Sequence, residues 1–346
     1  MTPNEPSGSL DPQVYARRRI AHTAPELAWE PGPAEAMQAW QRRVRERLNG
    51  LLGGLPWERV SLRSEVLETR ALDGYRRETV RFQTRPGMAA FGYFLVPDGC
   101  PPGSPAVLCL PGHGRGVDSI VGIAEDGSQR PLDRPDEYQA DFALQCVAHG
   151  YPTFALEQVS FGHRSAEGTK TGASSCVRDS MAALMLGETM TGWRVWDAQR
   201  ALDYLETRPE VDPERLAVMG ISGGGLTTLF TAALDTRPRV AVVSGYFNTF
   251  RDSVLAVDHC VDNYAPALLA EVEMPDLAGL VAPRALFAES GTRDPIFPLA
   301  AFEHAVERAR DIYAAFGAPD AFDAEVFDGD HRFHGAGAFR FLEAHM

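Results

Sequence analysis

A serine flanked by glycines lies in a segment whose residue types could support nucleophilic catalysis. Residues 216–219 form a short apolar run that predicts a buried strand, the pentapeptide Gly-Ile-Ser-Gly-Gly follows at 220–224, and residues 226–234 predict a helix. A serine on a sharp strand-to-helix turn, with glycines where a Cβ would clash, is the arrangement of a nucleophile elbow. In a chain with 32 glycines the pentapeptide also fits an ordinary glycine-rich turn. Its strand and helix neighbours favour Ser222 as a nucleophile.

Two later segments supply the carboxylate and the imidazole that a Ser-His-Asp triad requires. A serine hydroxyl is a weak nucleophile, so it needs a histidine base that a carboxylate holds in one orientation. When the nucleophile lies on such an elbow, the acid and then the histidine follow it in the chain, each after a later strand. Asp294 follows the apolar run 284–290, and His331 follows the run 322–327. The sequence therefore predicts Asp294 as the acid and His331 as the base.

These assignments have alternatives. Asp294 precedes a proline and also fits a simple turn, while Glu289, inside its strand, is the weaker candidate acid. His334 competes with His331 as the base, but His331 lies nearer the end of its strand. His331-x-x-His334 could also form half of a metal site. The other ligand-rich run, at 258–260, does not complete a tetrahedral set, so we expect no metal and no cofactor.

An oxyanion formed during acyl transfer needs backbone N–H donors aimed at it. One donor is expected from Gly223, the residue after the nucleophile. The second is expected from the loop 110–116, Leu-Pro-Gly-His-Gly-Arg-Gly, in which the N–H of His113 is the best candidate. This loop lacks the glycine spacing of a dinucleotide site and the Gly-Lys-Ser/Thr of a phosphate loop, so a nucleotide site is excluded.

The elements that must position these residues alternate between strands and helices. Residues 58–97 predict three antiparallel strands that open the sheet. Further strands are then predicted at 106–110, 152–156, 216–219, 240–244, 284–290 and 322–327, of which 106–110 and 216–219 are expected to be buried. Helices are predicted near 137–149, 191–207, 226–234, 298–316 and 335–345. Such alternation is typical of an α/β fold, with a mostly parallel central sheet and helices on both of its faces.

The chain divides into an N-terminal tail and helical extension at 1–56 and a catalytic domain at 57–346. The helix near 33–52 has an apolar stripe that we expect to pack within the chain, with a homo-oligomer interface as the alternative. Two long connections, near 114–135 and 246–280, interrupt the catalytic domain. Insertions that leave the carboxyl ends of parallel strands are expected to rim the site.

Composition narrows the partners and the compartment. The net charge of −14, from 33 basic and 47 acidic residues, disfavours nucleic acid and anionic membranes as partners. Five cysteines form no disulfide framework, and the chain has neither a signal-like N-terminus nor 18 consecutive apolar residues. We therefore expect a cytoplasmic protein with a small-molecule substrate.

Taken together, these segments resemble the α/β-hydrolase superfamily, and more narrowly its dienelactone hydrolase-like and acetyl xylan esterase-like branches. The resemblance covers roughly 57–346. It is carried by Pro-Gly-His-Gly at 111–114, Gly-Trp-Arg-Val-Trp-Asp at 192–197, Gly-Ile-Ser-Gly-Gly at 220–224, the run 282–298 and Gly-Asp-His at 329–331. Pro111 departs from the pattern, since many relatives have histidine there. The nucleophile is serine rather than the cysteine of true dienelactone hydrolases.

The resemblance implies Ser222 as nucleophile, Asp294 as acid and His331 as base, with His113 and Gly223 forming the oxyanion hole. It implies hydrolysis of small carboxylic esters, acetyl esters of carbohydrates among them, through an acyl-enzyme and without a cofactor. A thioesterase or amide-cleaving enzyme with the same triad is the alternative, and a non-catalytic ligand-binding protein on this fold is a further one.

Outside the triad, the sequence singles out one loop and one helix position. Phe161 and His163 follow a sheet strand, so they are candidates for the substrate pocket, with a plain surface loop as the alternative. Asp197 falls near the polar edge of its helix and is expected to be a structural partner.

Overall fold

The computed structural model describes residues 10–130, 137–166 and 175–346. A nine-stranded sheet crosses the molecule in the order β1-β2-β3-β5-β4-β6-β7-β8-β9. The strands are β1 Glu65–Leu72, β2 Tyr75–Arg85, β3 Met88–Pro97, β4 Ser104–Leu110, β5 Thr153–Leu156, β6 Val211–Ile221, β7 Pro238–Ser244, β8 Ala285–Gly291 and β9 Phe322–Phe327. The first three strands form an antiparallel meander that joins β5, and all the later pairings are parallel. The predicted mostly parallel α/β sheet is confirmed.

Helices cover both faces of this sheet. They are α1 Pro12–His22, α2 Ala34–Leu51, α3 Phe142–Ala148, α4 Cys176–Met185, α5 Met190–Leu205, α6 Gly223–Leu234, α7 Leu268–Glu271, α8 Met274–Val281, α9 Leu299–Ala315 and α10 Ala336–His345. One buried cluster joins a face of the sheet to α2, α5, α6, α8 and α9, and a second joins the other face to α3 and α10. Because both faces are covered, β7 and β8 are buried except at Arg239, and each contains four consecutive apolar residues.

The N-terminal extension packs on the catalytic part of the chain. In α2, Met37, Val44 and Leu48 are buried. The Gln41 amide donates hydrogen bonds of 2.7 Å to the carbonyls of Gly279 and Ala282, beside α8. The expectation that the apolar stripe packs within the chain is confirmed. The domain boundary at residue 56 stays a prediction.

Two features differ from the sequence prediction. The helix predicted at 137–149 begins only at Phe142, because Ala140 and Asp141 both have a φ of 47°, a left-handed conformation that no α-helix contains. Helix α1 was not predicted, because it buries none of its residues and therefore lacks an apolar stripe.

Part of the predicted insertion at 114–135 lies outside the described residues. In the part of the chain that is described, we find no helix both long and apolar enough to span a bilayer.

The packing of α2 predicts that truncating a side chain of its buried apolar stripe lowers the stability of the protein. Leu48 is fully buried, so Leu48→Ala should lower the free energy of unfolding by about 2–5 kcal/mol. Urea denaturation measures this difference. Val14→Ala, at an exposed position of α1, is the control and should change stability by less than about 0.5 kcal/mol. An unchanged midpoint for Leu48→Ala would show that α2 lies outside the cooperative unit.

Candidate active site

Ser222 occupies the turn between β6 and α6 with a strained backbone. Its φ of 54° and ψ of −119° are rare for a residue with a side chain, and its N–H donates to the carbonyl of Ser244 at 3.0 Å. A Cβ on Gly220 would lie 2.5 Å from the carbonyl oxygen of Gly224, and a Cβ on Gly224 would lie 1.9 Å from that of Leu110. The glycines on both sides of Ser222 are therefore required by close backbone approach. The strand, turn and helix expected of a nucleophile elbow are all present.

Asp294 and His331 meet beside this turn. The Asp294 carboxylate is buried, and its Oδ1 accepts the N–H groups of Ile296 and Phe297 at 2.9 Å each. Its Oδ2 lies 2.6 Å from Nδ1 of His331. Donation by Nδ1–H to the carboxylate leaves Nε2 as the ring's acceptor. Among the described residues, this buried Nε2 has no hydrogen-bond partner, so the structure shows no bond between it and the Ser222 hydroxyl.

The competing acid and base have other partners. Glu289 is fully buried, and this burial raises the pKa of its carboxyl group. It accepts a hydrogen bond from Ser244 Oγ at 2.7 Å and from the backbone N–H of His334 at 2.8 Å. The His334 ring stacks on Phe327. Glu289 therefore anchors the loop that carries the histidines, while Asp294 pairs with His331.

The two residues that are predicted to carry the oxyanion donors are neighbours. His113 follows β4, Gly223 begins α6, and a Cβ on Gly223 would lie 3.0 Å from Nδ1 of the His113 ring. Although burial lowers the pKa of this imidazole, hydrogen bonding to Asp262 and Cys176 raises it to about 9. The His113 side chain is thus held by groups behind the loop.

Tyr138 is a site residue that the sequence analysis missed. Its hydroxyl is within hydrogen-bonding reach of Ser222 and of the His113 N–H, and burial raises its pKa. Its ring stacks on His331 with 5.4 Å between centroids. A Cβ on Gly112 would lie 2.0 Å from this hydroxyl, so that glycine makes room for it. No local pattern marks Tyr138, which lies in a stretch of turns.

An aromatic wall continues from His331. The Phe297 ring stacks on His331 at 5.6 Å and also contacts Tyr246 and His259 at 5.3 and 5.5 Å. Burial raises the pKa of Tyr246 and lowers that of His259, which keeps both side chains neutral. Within the described chain, the Tyr246 hydroxyl and both His259 ring nitrogens are buried without a hydrogen-bond partner. Buried polar groups in this state mark a place where a ligand can supply the partner.

The two predicted pocket residues differ in position. Phe161 is buried 4.6 Å from the His113 ring, measured between centroids, so it lies beneath the oxyanion loop. His163 instead contacts Asp118 at 3.1 Å, and its ring packs at a tilt against Phe91 with 4.5 Å between centroids. Asp197, expected to be structural, is buried and pairs with Arg164 at 2.7 Å.

The fold and the elbow define an α/β-hydrolase. The chain belongs to the Abhydrolase family, whose model matches residues 15–324. "Putative hydrolase YtaP" of Bacillus subtilis (strain 168) is 28% identical over 291 residues, which span 80% of this chain and 89% of that protein.

Two solved structures share the fold. The crystal structure of a "putative acetyl xylan esterase" from Bacteroides fragilis NCTC 9343 superposes with a TM-score of 0.80 at 21% identity, over 94% of this chain and 84% of that one. A glucuronoyl esterase from Solibacter usitatus superposes with a TM-score of 0.68 at 18% identity, over 90% and 94%. At these identities the likeness establishes the fold.

The geometry predicts how Ser222 reacts with a fluorophosphonate probe, which labels activated serines. Ser222→Ala should abolish labelling. Asp294→Asn should slow it by about 10⁴-fold, since the imidazole loses the partner that fixes its tautomer. Labelling rates measured by intact-protein mass spectrometry test this, with His334→Ala as the control that keeps the wild-type rate. A loss of only tenfold in Asp294→Asn would point to another acid.

Proposed function

We propose that this protein is a serine esterase that cleaves small carboxylic esters through an acyl-enzyme. The observation that carries the proposal is the buried Asp294–His331 pair beside Ser222 on its strained turn. Ser222 Oγ attacks the ester carbonyl carbon while His331 Nε2 takes its proton. That proton then passes to the leaving alcohol, and water repeats the sequence to release the acid.

The developing oxyanion needs fixed hydrogen-bond donors. The N–H groups of Gly223 and His113 are proposed as the hole, because their residues adjoin at the start of α6. The Tyr138 hydroxyl reaches both Ser222 and the His113 N–H, so it can donate to the same oxygen. Donors fixed before the reaction stabilise this charge without reorganising, and losing one in a serine protease costs about 10²–10³ in kcat.

Ser222→Ala should lower turnover of p-nitrophenyl acetate by at least about 10³-fold, because the covalent route is lost. Hydrolysis is followed by release of p-nitrophenol, with circular dichroism to show that the variant folds. Wild-type turnover in the variant would rule out the acyl-enzyme. Matched acetyl thioester and acetyl amide compounds, assayed in parallel, decide between an esterase and the thioesterase or amide-cleaving alternative. Turnover of none of the three would support a non-catalytic binding protein.

The aromatic wall supports an acylated carbohydrate as the substrate. Sugars present hydroxyl groups and apolar ring faces, and a pocket for them needs polar groups beside aromatic rings. Tyr246 and His259 offer such polar groups around the ring of Phe297. The similar structures from Bacteroides fragilis and Solibacter usitatus carry the names of carbohydrate esterases. We therefore propose acetyl esters of carbohydrates as the substrate class.

The aromatic wall predicts that changing Tyr246 lowers activity only on sugar esters. Tyr246→Phe should lower kcat/KM on an acetylated xylo-oligosaccharide about tenfold, because a buried substrate hydroxyl loses its partner. The same variant should keep its rate on p-nitrophenyl acetate, which has no sugar hydroxyls. Tyr15→Phe, on the exposed face of α1, controls for the substitution itself. Equal losses on both substrates would assign Tyr246 a structural role instead.

Charge and cysteine content support the remaining proposals. A net charge of −14 disfavours nucleic acid and anionic membranes, leaving a small ester as the expected partner. Five cysteines without a disulfide framework favour a reducing compartment, the cytoplasm.

A further inference from the structure

Four side chains of metal-binding type lie together behind the oxyanion loop. They are His113, Cys176, Cys260 and Asp262, and their ligand atoms all lie within 4.8 Å of one another. His113 comes from the loop after β4, Cys176 is the first residue of α4, and the other two come from the connection between β7 and β8. Because three distant segments contribute, no sequence motif marks the cluster.

Asp262 lies at the centre of the cluster. Its Oδ2 is 3.1 Å from Nε2 of His113 and 3.1 Å from Sγ of Cys176. Tetrahedral zinc, with bonds of about 2.0–2.3 Å, holds its ligand atoms roughly 3.3–3.8 Å apart. The closest pairs are near this separation, and all four ligand atoms lie within 4.8 Å of one another. Asp262 and Cys176 are buried, while His113 and Cys260 are partly exposed and leave a path for an ion.

The charges around the cluster suit a divalent cation. Zinc displaces protons from its ligands, so in a loaded site two thiolates and the Asp262 carboxylate would carry three negative charges and the deprotonated His113 ring would add none. Arg194 is fully buried beside them and donates to Asp262 Oδ2 at 2.5 Å and to Cys176 Sγ at 3.3 Å. Arg194 supplies one positive charge, so an ion of charge two makes the buried group neutral, as burial requires.

Arg194 is itself fixed as an outer partner. Its guanidinium also donates to the carbonyl of Val159 and lies 4.2 Å above the ring of Phe161. Hydrogen bonds from a fixed donor to ligand oxygen and sulfur atoms orient those ligands and adjust their basicity. The guanidinium therefore holds Asp262 Oδ2 and Cys176 Sγ in fixed positions.

We propose that His113, Cys176, Cys260 and Asp262 bind one Zn²⁺ ion. Thiolate and imidazole ligands select zinc over magnesium or calcium, which prefer oxygen. Four protein ligands complete a tetrahedron, which is the pattern of a structural site. The ion joins the loop that carries His113 to α4 and to the β7–β8 connection. That positioning of the oxyanion loop rests on the proposed function, whereas the binding of zinc does not.

Metal binding is measured first, without reference to activity. Protein purified with zinc present and no strong chelator should carry one zinc per chain by plasma mass spectrometry. Cobalt added to the metal-free protein should give a thiolate-to-cobalt charge-transfer band. Cys260→Ser should weaken zinc binding at least about tenfold and diminish the band. Cys100→Ser changes a cysteine outside the cluster and should keep both signals.

The outcomes separate the site from its alternatives. Substoichiometric metal with no cobalt band in folded wild-type protein would overturn the proposal, and this result needs no variant. A Cys176–Cys260 disulfide, found by peptide mass spectrometry without reduction, would also overturn it. If zinc binds but p-nitrophenyl acetate is not hydrolysed, the site stands and the proposed esterase fails. If both hold, removing zinc should lower the melting temperature and turnover together, and adding zinc back should restore them.

Discussion

The hydrogen bond between the buried Asp294 carboxylate and His331 is the contact on which the site depends. A carboxylate out of water must have its charge compensated, and here two backbone N–H groups and the imidazole do so. Low local polarity strengthens each of these bonds. The turn therefore fixes the acid, the acid fixes the ring, and the ring presents Nε2 on the side away from the carboxylate. Removing Asp294 would free both the ring and its tautomer.

The parallel sheet brings these groups to one edge. Strands β8 and β9 pair in register through Gly291 and Phe327, so the turns that follow them carry Asp294 and His331 side by side. The neighbouring strands β4 and β6 bring the oxyanion loop against the elbow, with Leu110 opposite Gly220. The end of β4 approaches the elbow so closely that only glycine fits at position 224. Strand register thus positions the nucleophile, the base and the proposed hole together.

Sequence reasoning predicted the features that local pattern and chain order determine. Ser222 and Asp294 each follow a buried strand, His331 follows the partly exposed edge strand β9, and the structure pairs Asp294 with His331. Tyr138 escaped prediction because left-handed residues interrupt the helix expected around it. The cluster around Asp262 escaped because its members meet only through tertiary packing. The sequence placed His163 beside the pocket, but in the structure it contacts Asp118. That partner lies 45 residues earlier in the chain, so no local pattern reveals the contact.

The connection between β7 and β8 contributes residues both to the aromatic wall and to the proposed zinc site. It carries Tyr246 and His259 of the aromatic wall, and the next residue after His259 is Cys260 of the proposed zinc site. Buried polar groups stay without a hydrogen-bond partner only where the surrounding backbone is rigid, because a mobile loop would expose them to solvent. An anchor at Cys260 and Asp262 supplies that rigidity one residue away from the wall. A change at Cys260 or Asp262 should therefore also affect the aromatic wall. We expect such a change to reduce the selectivity for substrate before it disturbs the Asp294–His331 pair.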